Sequence, residues 1–212
     1  MNHTRVFSPI ILTGVMIIRC TKKLLKELGM QPAEVEDASS LGSWHANLLH
    51  IDRRQYVIVT HDITLFTLFI PAVERADFDH FDDTFGRALF RSMRLFGFEQ
   101  QKIERMLDWS RSNIYSSTND RSVLGSMNDM AFTIRYYIDS FGGLSVADID
   151  EICIRINRTP YKAIGFAFPF ERLADLPERG AGAFQHPVGQ RFEHEIQPQR
   201  DMQIVEADEG FI

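Results

Sequence analysis

Apolar residues along this chain alternate, cluster and recur with periods that change several times, and each change marks an element. Met16–Cys20 (MIIRC) is a short apolar run that predicts a strand. Thr21 then opens KKLLKELG, whose pattern predicts a helix stopped by Gly29. After an acidic, small-residue loop over 31–43, three strand-like runs follow in quick succession: WHANLLHI, QYVIVT and LFTLFI. The links between them, DRR and HDIT, have hairpin length, so residues 44–70 predict an antiparallel meander. QYVIVT and LFTLFI are apolar at both parities, which predicts a sheet covered on both faces.

From Asp79 the period becomes helical. Phe81, Phe85, Leu89, Met93 and Phe96 recur at helical spacing, with Asp79, Asp82 and Asp83 around the first turn and Gly97 closing. A shorter helix carries Ile103, Met106 and Leu107, and NIYSST reads as the connection that follows. Val123, Met127, Met130, Ile134, Ile138 and Phe141 then mark a long amphipathic helix ending at Gly142 and Gly143. Ser145 with Asp148 resembles a capping box for a helix through Ile149, Ile152, Cys153 and Ile156, which must end before Pro160. KAIGFAFPF reads as a last strand or extended segment. The expected fold is α+β: a small, mainly antiparallel sheet from residues 44–70 plus the strand at 16–20, packed with four or five helices. Residues 162–168 are a further strand candidate.

That domain is expected over 16–173. Residues 1–15 read as an N-terminal extension, since the apolar run at Pro9–Ile18 is too short to span a bilayer and no small-x-small cleavage site follows it. Beyond Leu173 the period is lost among Gly, Pro and charges, so 174–212 are expected to form a flexible C-terminal tail, one able to order on a protein partner.

Composition narrows the function. The 212 residues are 44% hydrophobic and 25% charged, with 17 Phe, which fits a chain with a bulky core. A net charge of −6 argues against non-specific duplex DNA binding, and no stretch predicts a membrane span. The two cysteines, Cys20 and Cys153, sit inside apolar patterns without a Cys-x-x-Cys, which fits buried thiols in a reducing cytoplasm.

Three stretches carry chemistry. In TNDRSVLGSMNDM (Thr118–Met130), a cap at Thr118 or Asn119 would leave first-turn amides and the helix dipole facing an anion, with Arg121 adding a bidentate contact beside Asp120 and Ser122. The same residues also read as plain capping chemistry. In GSWHANLLHIDRRQ, strand alternation puts His45 and Asn47 side by side on one face, which can orient an imidazole for acid–base work or simply fix strand register. Arg54, at the hairpin tip, is a candidate phosphate contact. HDIT and DFDHFDD supply His61, Asp62, Asp79, His80, Asp82 and Asp83, but no spacing matches a metal-ligand signature, so no metal is expected. No Gly-rich phosphate loop or nucleophile elbow names a cofactor.

Three strings together, MIIRCTKKLLKELG, LGSWHANLLHIDRRQYVIVTHD and TNDRSVLGSMNDMAF followed by INRTPYKAIGFAFPFERL, resemble a bacterial family known as a domain of unknown function, DUF6933. The resemblance runs from about Met16 to Leu173. It implies no catalytic assignment. It does single out polar positions: Trp44, His45, Asn47, Arg53, Arg54, Asp120, Arg121, Ser122 and, through INRTP, Asn157 and Arg158. An association of some relatives with a plasmid-borne pRiA4b ORF-3-like domain implies a mobile-element or defence setting.

The resulting expectation is a polar pocket for a small anionic or phosphate-bearing ligand, such as a nucleotide or an RNA end. His45 is its acid–base candidate; Arg54, Asn47, Asp120, Arg121, Ser122, Asn157 and Arg158 are the ligand-binding candidates. The alternative is a non-catalytic protein–protein interaction or regulatory module, antitoxin-like, using the tail.

Overall fold

Strand pairing in the computed structural model, which describes residues 15–35, 42–71, 73–141 and 149–176, builds one five-stranded mixed sheet. In chain order the strands are β1 (Met16–Cys20), β2 (Trp44–Ile51), β3 (Arg54–His61), β4 (Thr67–Ile70) and β5 (Asn113–Ser117). Across the sheet they lie β4-β3-β2-β1-β5. The expected meander is present as two antiparallel pairings, β2 with β3 and β3 with β4. Its tip is a two-residue turn in which Asp52 and Arg53 take φ of +48° and +64°. Two left-handed residues give the turn the twist that hairpin strands need. β1 pairs in parallel with both β2 and β5, so the shortest apolar run of the N-terminal region sits inside the sheet. All five of its residues are accordingly buried.

β5 falls on NIYSST, which the sequence pattern read as a connection. Its run is five residues long and largely polar, and it is a strand because it completes a long-range parallel ladder with β1. Tyr115 on the same strand donates to the Asp82 carboxylate, and Asn113 Nδ2 donates to that carboxylate at 2.8 Å. Burial and the adjacent carboxylate hold the Tyr115 phenol well above its usual pKa.

Seven helices are described: α1 (Lys22–Leu28), α2 (Arg75–Asp79), α3 (Phe81–Leu95), α4 (Gln100–Trp109), α5 (Arg121–Ser140), α6 (Ile149–Asn157) and α7 (Pro169–Ala174). The helical period that starts near Asp79 is broken at His80, so α2 and α3 are separate. The expected strand over 162–168 is instead a 3-10 turn at Lys162–Ile164. Gly165 and Phe166 follow at φ of +73° and +59°, a left-handed pair that folds the chain back to a single Tyr161–Ala167 bridge. The Ser145–Asp148 cap, the segment before residue 15 and the tail beyond 176 lie outside the described residues.

The two sheet faces build two cores. On one, Ile18, Cys20, Trp44, Ala46, Leu48, Val57, Val59 and Leu68 meet α1, α2, α3 and α4 through Leu24, Phe78, Phe85, Leu89, Met93 and Ile103. On the other, Ile51, Tyr56, Ile58 and Phe69 meet α5 and α6 through Met127, Met130, Ile134, Ile138, Ile152 and Ile156. Both faces are covered, as the double-parity apolar runs predict. Among the described residues no helix is long and apolar enough to cross a membrane.

Candidate functional site

The strand register puts five polar residues in one line across the sheet. Arg19 on β1 stands opposite His45 on β2 and Ser116 on β5; His45 stands opposite Thr60 on β3, and Thr60 opposite Thr67 on β4. Facing residues in a sheet project from the same side, so Ser116, Arg19, His45, Thr60 and Thr67 form one row. All five are buried. The row lies on the face that carries α5, whose Met130 sulfur is 3.1 Å from Thr67 Oγ1 and 3.9 Å from Thr60 Oγ1.

A buried polar row is costly unless its groups find partners, and most here do. Thr60 and Thr67 join their hydroxyls at 2.9 Å, and Thr67 Oγ1 donates to Leu65 O at 2.9 Å. Ser116 Oγ donates to Ala33 O at 2.8 Å. His45 is 0% exposed, and its Nδ1 lies 2.6 Å from Asp62 Oδ1. A carboxylate accepts, so Nδ1 carries a proton, and in the neutral tautomer Nε2 keeps its lone pair. That Nε2 is buried and has no hydrogen-bond partner among the described residues. The arrangement is that of a base whose tautomer is set by an orienting carboxylate.

The local chain explains why the dyad forms. Asp62 follows β3 directly, and its backbone N–H donates to Ser43 O at 2.9 Å, which extends the ladder past the strand end. Two residues beyond Thr60, it returns to the face of His45. Its side chain is 21% exposed, so the row meets solvent at this carboxylate. His61, one position earlier, points to the opposite face. There its ring packs edge-on against Trp44 at 4.9 Å and its Nδ1 meets Thr64 Oγ1 at 3.0 Å. The two residues of the His-Asp turn therefore diverge, and no three His, Cys, Asp or Glu side chains converge on a metal-sized site among the described residues. Cys20 belongs to the far face too, where burial pushes its thiol up to about 12 and keeps it protonated.

The other sequence candidates are spread over the domain. Asn47 is half-buried, two residues beyond His45 on the same face, and its Oδ1 accepts from Thr21 Oγ1 at 3.0 Å. Asp120 is the N-cap of α5: its Oδ1 accepts from Ser122 N at 2.7 Å and Val123 N at 3.2 Å. Two of the first-turn amides that were free to hold an anion are thus taken by the cap. Arg121 and Ser122 are exposed. Arg54 pairs with Ile51, six residues along β2 from His45 and so about 20 Å away. Asn157 is fully buried and works as a clamp on the edge strand: Thr67 N donates to its Oδ1 at 2.8 Å, while its Nδ2 donates to Thr67 O at 2.8 Å and Cys153 O at 3.0 Å. Arg158 is exposed and stacks over the Phe170 ring at 5.5 Å.

The structure brings His45 and Asn47 together and adds Asp62 and Arg19, which the sequence pattern did not select. Two open surface clefts, one at the end of β4 between α3 and α6 and one along α3 and α4, share no residue with the row. The one sign of Arg19 was its parity: in MIIRC it is the lone charge, flanked by residues that turn to the other face.

No curated protein compared with the chain matches it. A family described as a domain of unknown function, DUF6933, matches residues 17–172, a span that takes in every residue of the row and all of the strands but Met16. The chain therefore belongs to the DUF6933 family.

Proposed function

We propose that the Arg19–His45 part of the row binds a small anionic or phosphate-bearing ligand, a nucleotide or an RNA end, with His45 as the residue that exchanges a proton or hydrogen bond with it. One observation carries this reading: a fully buried imidazole, fixed through Nδ1 by Asp62, holds in the protein interior an Nε2 without a hydrogen-bond partner among the described residues. Leaving a buried polar atom unsatisfied costs about 1–3 kcal/mol, and such a cost is commonly retained where the atom has work to do. Arg19, which faces His45 from β1, would supply the positive charge for an anion next to Nε2. Asp62 would stabilise the imidazolium formed when Nε2 takes up a proton, the role an orienting carboxylate plays in acid–base catalysis. Asn47, next along the face, would orient the ligand.

The test is thermal unfolding of the full chain against inorganic phosphate, nucleotides, sugar phosphates and short RNAs. A ligand at a hundred times its dissociation constant stabilises by ~2.7 kcal/mol, a shift of a few degrees for a domain of this size. The shift should vanish in His45→Gln and in Arg19→Met, and persist in Arg54→Ala. A shift that survives both core substitutions would place the ligand elsewhere. No shift with any member of the panel would favour the non-catalytic interaction module.

A further inference from the structure

The outer face of α5 carries a contact surface that the buried row does not use. Phe132 and Tyr136, one turn apart, are 76% and 63% exposed. Adjacent apolar side chains this open mark an interaction surface more often than isolated ones do. At 3.6 residues per turn, Arg121, Gly125, Asn128, Phe132, Tyr136 and Asp139 fall on one stripe along the whole helix, and all six are exposed. Gly125 is a notch in that stripe, with nothing within 4 Å of where a Cβ would stand. Arg121 and Asp139, at the two ends, carry opposite charges, and neither forms an ion pair within the described residues.

We propose that this stripe pairs with the same stripe of a second copy, antiparallel, about a two-fold axis near Met130. Arg121 and Asp139 are equidistant from residue 130, so the two-fold sets each Arg121 against Asp139 of the other copy and makes two ion pairs at once. The same register lays each Tyr136 ring over the Gly125 notch opposite, with the two Phe132 rings flanking the axis. A parallel pairing would instead oppose Arg121 to Arg121 and Asp139 to Asp139, so the charges select the antiparallel one. The surface is self-complementary, as a two-fold interface must be. Exposed Phe166, on the turn after the 3-10 segment that packs against α5, adds apolar area on the same side of the sheet.

Sedimentation velocity of the full chain over a concentration series reads the outcome. A concentration-dependent dimer is expected, lost in Phe132→Glu, with a melting temperature close to wild type because Phe132 has little packing to lose. Arg121→Asp or Asp139→Arg alone should raise the dimer dissociation constant about tenfold or more, since two attractive pairs become repulsive. The combined Arg121→Asp/Asp139→Arg chain should return to within about threefold of wild type, because the swap restores both pairs. A chain that stays monomeric throughout, a dimer indifferent to Phe132→Glu, or a double swap that fails to restore association would each overturn the proposal.

Discussion

The two faces of the sheet use the same five strands and reach opposite solutions. On the α3 side, Cys20, Ala46, Val59 and Leu68 stand in line on β1, β2, β3 and β4 and pack in one core with Phe85 and Leu89, with His61 the polar side chain beside Trp44. One residue along, on the α5 side, the row reads Ser116, Arg19, His45, Thr60 and Thr67. A face that only has to pack is best filled with apolar groups, whose burial stabilises at about 25 cal/mol per Å². A polar row in the same sheet gives up that gain and demands partners for every atom. The contrast separates residues that only pack from residues whose polar atoms each need a partner.

Substitutions on the packing face should break the fold without touching the site. Phe85 is fully buried against Trp44, with ring centroids 5.7 Å apart. Phe85→Ala should cost about 3–5 kcal/mol in urea unfolding, while the folded fraction keeps any ligand affinity. A loss under 1 kcal/mol would mean that this core relaxes far more than close packing allows.

Asn157 tests the polar side at a residue that is structural. Asn157→Ala removes three hydrogen bonds and leaves the Thr67 N–H and C=O unpaired, so a loss of about 2–4 kcal/mol is expected. Because the clamp acts on β4, two strands from His45, a folded Asn157→Ala chain should still show the ligand shift proposed above. If the shift disappeared while the melting curve stayed cooperative, Asn157 would belong to the site rather than to the frame.

How much of this was legible in the sequence follows from which contacts are local. The meander over 44–70, the strand at Met16 and the long helix from Arg121 come from periodicity, which needs only neighbouring residues. β5 was missed because a five-residue polar strand has no period of its own and exists through pairing with β1, far away in the chain. The 162–168 strand was misread because its apolar content is right and its backbone is not: Gly165 and Phe166 turn left-handed. His45 was found by alternation alone. Arg19 and Asp62 were not, since the first reaches His45 only through the β1–β2 register and the second only through the hairpin that returns β3 beside β2. TNDRS reads both ways in the sequence because a cap and an anion site share the same residue types; the structure shows the cap, with the Asp120 carboxylate bonded to two of the amides.

The protonation state of the His45 ring can be measured directly. Nitrogen-15 spectra of the histidine side chains, assigned with His45→Gln and recorded at pH 8, where a free imidazole is neutral, report which nitrogen holds the proton. A protonated Nδ1 and bare Nε2 on His45 is the predicted result, with the preference weakened in Asp62→Asn. A proton on Nε2, or on both nitrogens, would contradict it: the ring would then be a buried donor with no acceptor, and the reason for placing a ligand at the row would be gone.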